Sequence, residues 1–241
     1  MITVVHDKRH TLFFDPEVLD SVRSEMFSPE YWQQQDAVLG SSTGRGTAWF
    51  VKRPTGPLVL RHYYRGGMIG RVLRDQFPMF GLKRSRSWRE FELLQKLHQA
   101  GLPVPKPVAG QMVRKGAYCS CDILIELLQE TRDLVAALQD GPLDETAWKQ
   151  VGAMIRRFHD QQVYHADLNA HNILQGEDGQ LWLIDFDKGA IRHPGKWKLQ
   201  NLERLLRSFR KEKSQLASFH WQESDWESLM AGYQQAPAQS R

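Results

Sequence analysis

The strongest constraint on this chain is a group of polar residues around one predicted hairpin, in YHADLNAHNILQGEDGQLWLIDFDKG (164–189). Asp178-Gly179 separates two apolar runs, which is the pattern of a β-hairpin with a tight turn. Asp167 and Asn172 precede the hairpin and Asp185 follows it, each beside residues that indicate buried strand. Polar groups next to a core need partners, because burying them unpaired costs free energy. Either they form Asx turns and a strand end, or their oxygens surround a metal-bound phosphate.

The size and hydropathy of the chain argue against a membrane-spanning or a secreted protein. At 241 residues it fits one large domain or two small lobes. It has no apolar run of the roughly 18 residues that a membrane-spanning helix requires. Near its start, residues 7–10 are Asp-Lys-Arg-His, where a secretory signal would be apolar. We therefore expect a protein of the cytoplasm or of the inner face of the membrane.

The first half of the chain favours strands. Residues 37–64 predict three strands separated by a Gly-rich turn and a Pro-Thr-Gly-Pro turn, because the runs TAWFV and LVLRHYY are rich in β-branched and aromatic residues. A helix is predicted within 87–101 from the apolar spacing of Phe91, Leu94 and Leu97, with Gly101 as the residue just past its end. Further strands are predicted up to residue 130.

The second half favours helices. Residues 144–162 carry apolar side chains at helical spacing, and helices are again predicted at 197–211 and 223–235, after the hairpin. The pattern is therefore that of an α+β protein, with a strand-rich first half and a helical second half that contains one hairpin.

Two motifs around the hairpin resemble those of the protein-kinase-like fold. HADLNAHN (165–172) is similar to the catalytic-loop pattern H-R-D-x-x-x-x-N, with Ala166 in place of Arg. DFD (185–187) begins thirteen residues after Asn172, where the Asp-Phe-Gly motif belongs. The resemblance implies two lobes, a small strand-rich N-lobe at 1–127 and a helical C-lobe at 128–241.

The same resemblance implies roles for the polar residues of the hairpin. In phosphoryl transfer an aspartate orients the acceptor hydroxyl and accepts its proton, while an asparagine and a second aspartate hold magnesium against the nucleotide phosphates. By this interpretation Asp167 is the base, and Asn172 and Asp185 bind Mg²⁺, a hard cation that prefers oxygen ligands.

The nucleotide-binding motifs of the first half depart from the kinase pattern. GSSTGRG (40–46) stands where a Gly-rich loop would cover the phosphates of ATP, with Gly40, Gly44 and Gly46 as the candidate residues. Its glycine spacing differs from G-x-G-x-x-G, so a plain hairpin turn is an equal alternative. Arg61 occupies the position of the phosphate-binding lysine, and a guanidinium can hold phosphate oxygens with two hydrogen bonds. Lys52, in the preceding strand, is the alternative cation.

Two further positions are implied by the kinase pattern. Glu90 matches the helix glutamate that pairs with the phosphate-binding cation, with Glu92 as its substitute. The local alternative is a capping box, because Ser87 and Glu90 have the required spacing. Residues 124–130 match the hinge between the lobes, where main-chain groups from Glu126 to Leu128 would contact adenine.

The chain is similar to a narrower group within this superfamily. Lys196 comes only eleven residues after Asp185, and no Ala-Pro-Glu motif follows, which disfavours a protein kinase. The stretches LRHYYRGGMIGRVLRDQF, YHADLNAHNILQ and WKLQNLERLLRSFRK resemble the 3-deoxy-D-manno-octulosonic acid (Kdo) kinases of Gram-negative bacteria. That resemblance covers nearly the whole chain. It implies ATP-dependent phosphorylation of a Kdo hydroxyl on the Kdo–lipid A precursor, at the cytoplasmic face of the inner membrane.

Two alternatives stay open. The heptose kinases of the lipopolysaccharide core are close relatives, so heptose is the alternative acceptor sugar. A kinase-like module that senses nucleotide or lipid without catalysis is favoured only by Arg61 in place of lysine, whereas Asp167, Asn172 and Asp185 are all present.

The charge distribution agrees with an anionic partner. Residues 61–89 contain eight basic side chains and one acidic, and residues 192–213 contain eight basic and two acidic, although the whole chain has a net charge of only +4. Apolar residues are interleaved with the cations of 65–89, as in segments that bind membrane surfaces. No recognised nucleic-acid-binding motif accompanies the charge, so we expect the inner-membrane surface, and no nucleic acid, as the partner.

Overall fold

The structure, a computed structural model, describes residues 1–43, 47–65 and 74–235 of the chain. Gly44 and Gly46 of the predicted phosphate loop therefore lie outside the described residues. The chain forms two compact units, which we call the sheet unit (Met1–Lys96 with Pro105–Leu127) and the helical unit (Leu97–Val104 with Leu128–Arg241).

The sheet unit is built on one antiparallel sheet. Its strands, from one edge to the other, are β1 (Thr3–Asp7), β2 (His10–Phe14), β7 (Pro107–Lys115), β8 (Tyr118–Glu126), β5 (Leu58–His62), β4 (Thr47–Val51) and β3 (Val38–Thr43), with the short β6 (Phe77–Pro78) paired to β8. The side chains of β2 alternate in direction, so successive residues of this strand lie on opposite faces of the sheet. Leu12 and Phe14 join the core under the N-terminal segment that contains α1 (Pro29–Gln33). Phe13 points to the other face, where its ring packs edge-on against Phe91 of α2 (Arg86–Gln99).

Helix α2 begins before the predicted capping residue. Ser85 precedes the helix, and its Oγ accepts a hydrogen bond from the Trp88 N–H at 3.3 Å. Ser87 lies inside the first turn and donates instead to the Gln111 carbonyl at 2.9 Å. The helix ends at Gln99, and Gly101 is the predicted glycine after its end, with a φ of 69° and a 3.0 Å hydrogen bond from Leu102 N to Leu97 O beside it. This end geometry is typical of a glycine-terminated helix.

The helical unit contains four helices and two small sheets among the described residues. The helices are α3 (Leu134–Asp140), α4 (Glu145–Asp160), α5 (Trp197–Gln215) and α6 (Glu223–Gln235). One sheet has the order β12 (Leu181–Leu183), β11 (Ile173–Gly176), β9 (Thr131–Asp133), and the other pairs β10 (Val163–Tyr164) with β13 (Ala190–Ile191). Asp133 and Asp144 cap α3 and α4 by accepting main-chain N–H bonds of 2.8 and 2.7 Å. None of the described helices has both the length and the apolar character that crossing a bilayer requires.

The prediction of an α+β chain is confirmed as a mixture of helices with antiparallel sheets. The helices at 144–162, 197–211 and 223–235 and the hairpin with its Asp178-Gly179 turn are all present. The Gly-rich stretch differs from its prediction. Gly40 lies within β3 and pairs with Phe50, next to a bulge, because the strand continues through residue 43. The predicted loop at 40–46 is thus shorter than its glycines suggested.

Helices α4 and α6 approach closely at two glycines. A Cβ on Gly152 would lie 1.9 Å from the Leu229 carbonyl oxygen, and one on Gly232 would lie 2.0 Å from the Lys149 carbonyl oxygen. These oxygens belong to helix backbones, so the obstruction cannot be removed by turning a side chain. The close packing of the two helices therefore depends on both glycines.

Replacing Gly152 with alanine is expected to lower the free energy of unfolding by about 1–3 kcal/mol or more, because an overpacked site must push two helices apart. The midpoint of urea-induced unfolding measures the effect. Gly141→Ala is the matched control, since a Cβ there has nothing within 4 Å and its φ of 178° is ordinary extended backbone. Equal stability of the two variants would contradict the prediction.

Candidate active site

Helix α5 positions the loop at residues 165–172 through four polar side chains on one of its faces. They stand at helical spacing and contact successive loop residues, in the pairs Asn201 with His165, Arg204 with Asp167, Ser208 with Ala170, and Glu212 with His171. Because one rigid helix makes all four contacts, the loop is fixed along its whole length. We call these four residues the α5 stripe.

The two ends of the α5 stripe are buried. The Asn201 side chain makes two hydrogen bonds with the His165 main chain. It accepts from the N–H at 3.3 Å and donates to the carbonyl at 2.9 Å. Glu212 lies 3.7 Å from His171 Nε2, and both Asn201 and Glu212 are under 10% exposed. Between them Ser208 Oγ accepts from the Ala170 N–H at 3.1 Å. The bonds of Asn201 and Ser208 satisfy main-chain groups of the loop that regular secondary structure leaves unpaired.

His165 connects this loop to the strand end that carries Asp185. Its Nε2 lies 2.9 Å from the Ile184 carbonyl, and its Nδ1 accepts from the Asp167 N–H at 3.2 Å. This pattern requires a neutral ring protonated at Nε2. Burial lowers the pKa of His165, which keeps the ring in that neutral form. The imidazole therefore acts as a fixed bridge between the two motifs.

The main chain of Asp167 is held independently of its side chain. Its carbonyl accepts hydrogen bonds of 2.9 Å from both Asn169 Nδ2 and Asn172 Nδ2. The carboxylate, which is 46% exposed, accepts a 2.8 Å bond at Oδ1 from Arg204. No hydrogen bond from a described residue reaches Oδ2. Asp167 thus presents one carboxylate oxygen in a fixed position to an incoming group.

Asp185 stands next to Asn172 across the hairpin. The Ile184 N–H donates to the Asn172 carbonyl at 2.9 Å, directly before Asp185. Asp185 has a φ of 64°, a left-handed conformation that is uncommon for residues other than glycine and often marks functional positions. Phe186 is fully buried and packs against His165 with ring centroids 4.9 Å apart, which anchors the motif.

The residues present fit a magnesium ion bound together with phosphates. Asn172 uses its Nδ2 to bond Asp167, so its amide oxygen Oδ1 is the atom left for a metal, and Asp185 adds a carboxylate. Within the described ranges no cluster of three or more His, Cys, Asp or Glu side chains has metal-binding geometry. Two oxygen donors suit Mg²⁺, which is commonly held by one or two side chains while phosphates and water complete its shell.

In the sheet unit, Arg61 and Glu90 are in contact. Arg61 Nη2 lies 3.3 Å from Glu90 Oε2, and Tyr63 OH donates to the same oxygen at 2.6 Å. The Glu90 side chain is 1% exposed, so this ion pair is buried at its acidic end. Glu90 therefore pairs with Arg61 and does not cap its own helix.

The other predicted positions in the sheet unit make different contacts. Lys52 is exposed, and its main-chain N–H donates to the Ala37 carbonyl at 2.7 Å. The Glu126 N–H donates to Lys106 O, and the Leu127 N–H to Pro57 O, so these two groups already have protein acceptors.

At the start of the helical unit, the Leu128 carbonyl accepts from Thr131 Oγ1 at 2.9 Å. This bond holds the last residue of the predicted hinge stretch, Glu126 to Leu128.

Sequence reasoning missed the α5 stripe. The basic residues of 192–213 indicate only a charged block, although N-x₂-R-x₃-S-x₃-E places Asn201, Arg204, Ser208 and Glu212 on one helix face. Polar residues at helical spacing on an otherwise amphipathic helix were the available signal. Nothing in the sequence indicated which loop they contact.

Comparison with known proteins identifies the family. A family model described as the lipopolysaccharide kinase (Kdo/WaaP) family matches residues 29–233. The chain therefore belongs to the lipopolysaccharide kinase (Kdo/WaaP) family, and the resemblance found in the sequence is confirmed.

Particular relatives are similar over most of their length. A 3-deoxy-D-manno-octulosonic acid kinase of Vibrio parahaemolyticus is 42% identical over 228 residues, which are 94% of this chain and 94% of that protein. The protein of that name from Actinobacillus succinogenes is 46% identical over 222 residues, 88% of this chain and 91% of its own. A third, from Mannheimia succiniciproducens, is 42% identical over 242 residues and is covered completely.

Proposed function

We propose that this protein is an ATP-dependent kinase that phosphorylates a hydroxyl of Kdo on the Kdo–lipid A inner core of lipopolysaccharide. The observation that carries the proposal is the fixed Asp167, whose main chain is held by Asn169 and Asn172 while Oδ2 accepts no hydrogen bond from a described residue. The names and identities of the relatives support Kdo as the acceptor sugar.

The proposed reaction breaks the bond between the γ-phosphorus and the β,γ-bridging oxygen of ATP and forms a bond from that phosphorus to the sugar oxygen. Asp167 Oδ2 accepts the hydroxyl proton, which later passes to water, so ATP and the sugar alcohol give ADP, the phosphate ester and a proton. Such transfer depends mainly on positioning and charge stabilisation. The α5 stripe and His165 supply the positioning, because they fix the loop that carries Asp167.

Asn172 and Asp185 are the residues proposed to hold Mg²⁺, which neutralises charge on the phosphates when it is bound. In the sheet unit we propose that Arg61 contacts nucleotide phosphate, with Glu90 orienting its guanidinium, and that Gly44 and Gly46 belong to the phosphate loop, whereas Gly40 lies in β3 before it. Main-chain groups from Glu126 to Leu128 are proposed to contact adenine.

We also propose that the sheet unit and the helical unit correspond to the two lobes of a protein-kinase-like fold, with the boundary between residues 127 and 128, except that residues 97–104 group with the helical unit and not with the predicted N-lobe. The antiparallel sheet with α2 packed on one face, and a second unit of helices with the Asp167 loop and a hairpin, support this assignment.

The direct test follows ³²P from γ-labelled ATP into a Kdo–lipid A precursor in the presence of magnesium. We expect label in the glycolipid with the Kdo-bearing acceptor and none when Kdo is absent. Heptose is the alternative acceptor sugar, so the same assay is repeated with an acceptor that carries a terminal heptose. Transfer only to heptose, or ATP binding without transfer to any acceptor, would contradict the proposal.

A surface patch of the sheet unit supports a peripheral position at the cytoplasmic face of the inner membrane. Lys83 and Arg84 lie exposed in a 3-10 helix at Leu82–Arg84, two residues after Phe80, which is 69% exposed. We call Phe80, Lys83 and Arg84 the Phe80 patch. An exposed aromatic beside two cations suits an anionic bilayer surface. Arg86 is not part of the patch, because it donates to Tyr64 O and stacks over Phe77.

Reversing the charges of Lys83 and Arg84 to glutamate is expected to weaken binding to phosphatidylglycerol vesicles roughly thirtyfold or more, since each cation contributes about 1 kcal/mol. Vesicle co-sedimentation at several salt concentrations measures the change. The matched control is Arg132→Glu with Lys149→Glu, which reverses two exposed charges of the helical unit. An equal loss in both double variants would show attraction by total charge and would contradict docking through the Phe80 patch.

A further inference from the structure

Arg204 differs from the rest of the α5 stripe. Asn201 and Ser208 hold the loop main chain, and Glu212 reaches His171, whereas the hydrogen bond that Arg204 makes within the described residues is to the side chain of Asp167. The Arg204 and Asp167 side chains are 47% and 46% exposed. An ion pair this open to water adds little to stability. The loop therefore does not need Arg204 to hold its shape, and a function at the surface of the site explains the contact better.

The hydrogen-bonding capacity of Arg204 is largely unused within the described residues. A guanidinium carries five N–H donors, and one of them, on Nη1, bonds Asp167 Oδ1 at 2.8 Å. Other cations of the same helix have acidic partners outside the loop. Arg207 reaches Glu203 at 4.0 Å, and Arg210 binds Glu223 through two bonds. Arg204 is thus the described cation that contacts the carboxylate of the proposed base.

The chemistry of the proposed acceptor supplies a second partner for this guanidinium. A sugar hydroxyl must approach Asp167 Oδ2 for its proton to be accepted, which brings the other groups of the same sugar close to Arg204. An octulosonic acid carries a carboxylate on its ring, and a neutral heptose has none. Planar guanidinium groups bind carboxylates with two parallel N–H···O bonds. A second carboxylate beside Asp167 would be repelled if no cation lay between the two.

We infer that Arg204 recognises the carboxylate of the acceptor sugar, so that its guanidinium lies between that group and Asp167. The inference rests on the proposed function and adds a determinant of specificity to it. The α5 stripe then serves two purposes, since Asn201, Ser208 and Glu212 hold the loop and Arg204 selects an acidic sugar over a neutral one.

The test compares two soluble acceptors that lack acyl chains, so that membrane binding does not contribute. One is a Kdo-bearing glucosamine disaccharide, and the other is the same compound with the Kdo carboxyl converted to its methyl ester. The wild-type kcat/KM is expected to be about tenfold to a hundredfold higher for the free acid, the factor expected from hydrogen bonds to a charged group. In Arg204→Gln this ratio should fall to about one, while Arg204→Lys, which keeps the charge but loses the planar fork, should retain part of it.

Arg132→Gln is the matched control, because it removes an exposed arginine of the helical unit that pairs with Asp140 and should leave the ratio unchanged. Circular dichroism melting verifies that every variant is folded. An unaltered ratio in Arg204→Gln would overturn the inference. So would an equal loss on both acceptors, because Arg204 would then act only on Asp167. If the wild-type protein labels neither these acceptors nor the acylated Kdo–lipid A precursor, the proposed function itself has failed, and that result is visible before any variant is made. If it labels only the acylated precursor, the free acid and the methyl ester are compared on that precursor.

Discussion

Replacing Asp167 with alanine is expected to lower the turnover of phosphate transfer by roughly two to four orders of magnitude, the usual effect of losing a positioned proton acceptor. The affinity for ATP should change little, because the proposed partner of Asp167 is the acceptor hydroxyl and not the nucleotide. The loop should keep its shape, since the hydrogen bonds from Asn169 and Asn172 reach the main-chain carbonyl of residue 167. Single-turnover transfer and equilibrium ATP binding, measured on the same preparation, separate these effects.

Two further variants make the Asp167 result specific. Asp167→Asn keeps the size of the side chain and removes the charge, so it should lose nearly as much activity as alanine. Asp178→Ala removes an aspartate from the hairpin turn, where its side chain accepts from the Gln180 N–H and from no other described residue, and should leave turnover close to that of the wild type. A folded Asp167→Ala protein with near-normal turnover would rule out Asp167 as the base.

Local sequence patterns were sufficient to predict the long helices and the hairpin of the helical unit. Period-3.6 apolar spacing located the helices, and Asp178-Gly179 located the hairpin, because both depend on residues close together in the chain. The spacing from Asp167 through Asn172 to Asp185 also follows from that hairpin, whose strands bring the Ile184 N–H to the Asn172 carbonyl. Motifs joined by a short hairpin are brought together by local structure alone.

The pairing of Arg61 with Glu90 was inferred from the kinase pattern, and the structure brings the two side chains into contact. The competing local interpretation failed because of one residue. Ser85, two positions before Ser87, is the residue that accepts at the start of α2, so Glu90 falls in the second turn and faces the sheet. Capping motifs are short, and a serine two residues earlier is enough to change the outcome.

The α5 stripe was beyond sequence reasoning for a different reason. Asn201 and His165 are 36 residues apart, and their contact depends on how α5 packs against the loop. Exposed arginines on an amphipathic helix are most often solvated, so Arg204 did not stand out from Arg207 or Arg210. Long-range polar contacts of single residues carry no periodic signal, and only the folded unit distinguishes one cation from its neighbours.

Replacing Asp185 with asparagine is expected to weaken magnesium-dependent ATP binding at least roughly tenfold to a hundredfold and to abolish most activity. Removing a residue that only supports a metal ligand already lowers metal affinity by about that factor. Asp185 is proposed to be a charged ligand itself, so its loss should cost at least as much affinity. Asparagine is the informative substitution because of the backbone. Residue 185 has a φ of 64°, which asparagine tolerates nearly as well as aspartate, whereas alanine adds strain. The variant therefore tests the charge and leaves the conformation intact.

The measurement is ATP affinity by calorimetry across a magnesium titration, with Asp178→Asn as the control for an aspartate outside the site. Wild type and control should bind ATP more tightly as magnesium rises, while Asp185→Asn should respond weakly. Asn172→Ala is a less specific test, because Asn172 Nδ2 also supports the Asp167 carbonyl and its loss disturbs both roles at once. If the magnesium dependence of the Asp185 variant equals that of the wild type, the carboxylate of Asp185 is not a metal ligand, and its left-handed backbone serves the turn before Phe186 alone.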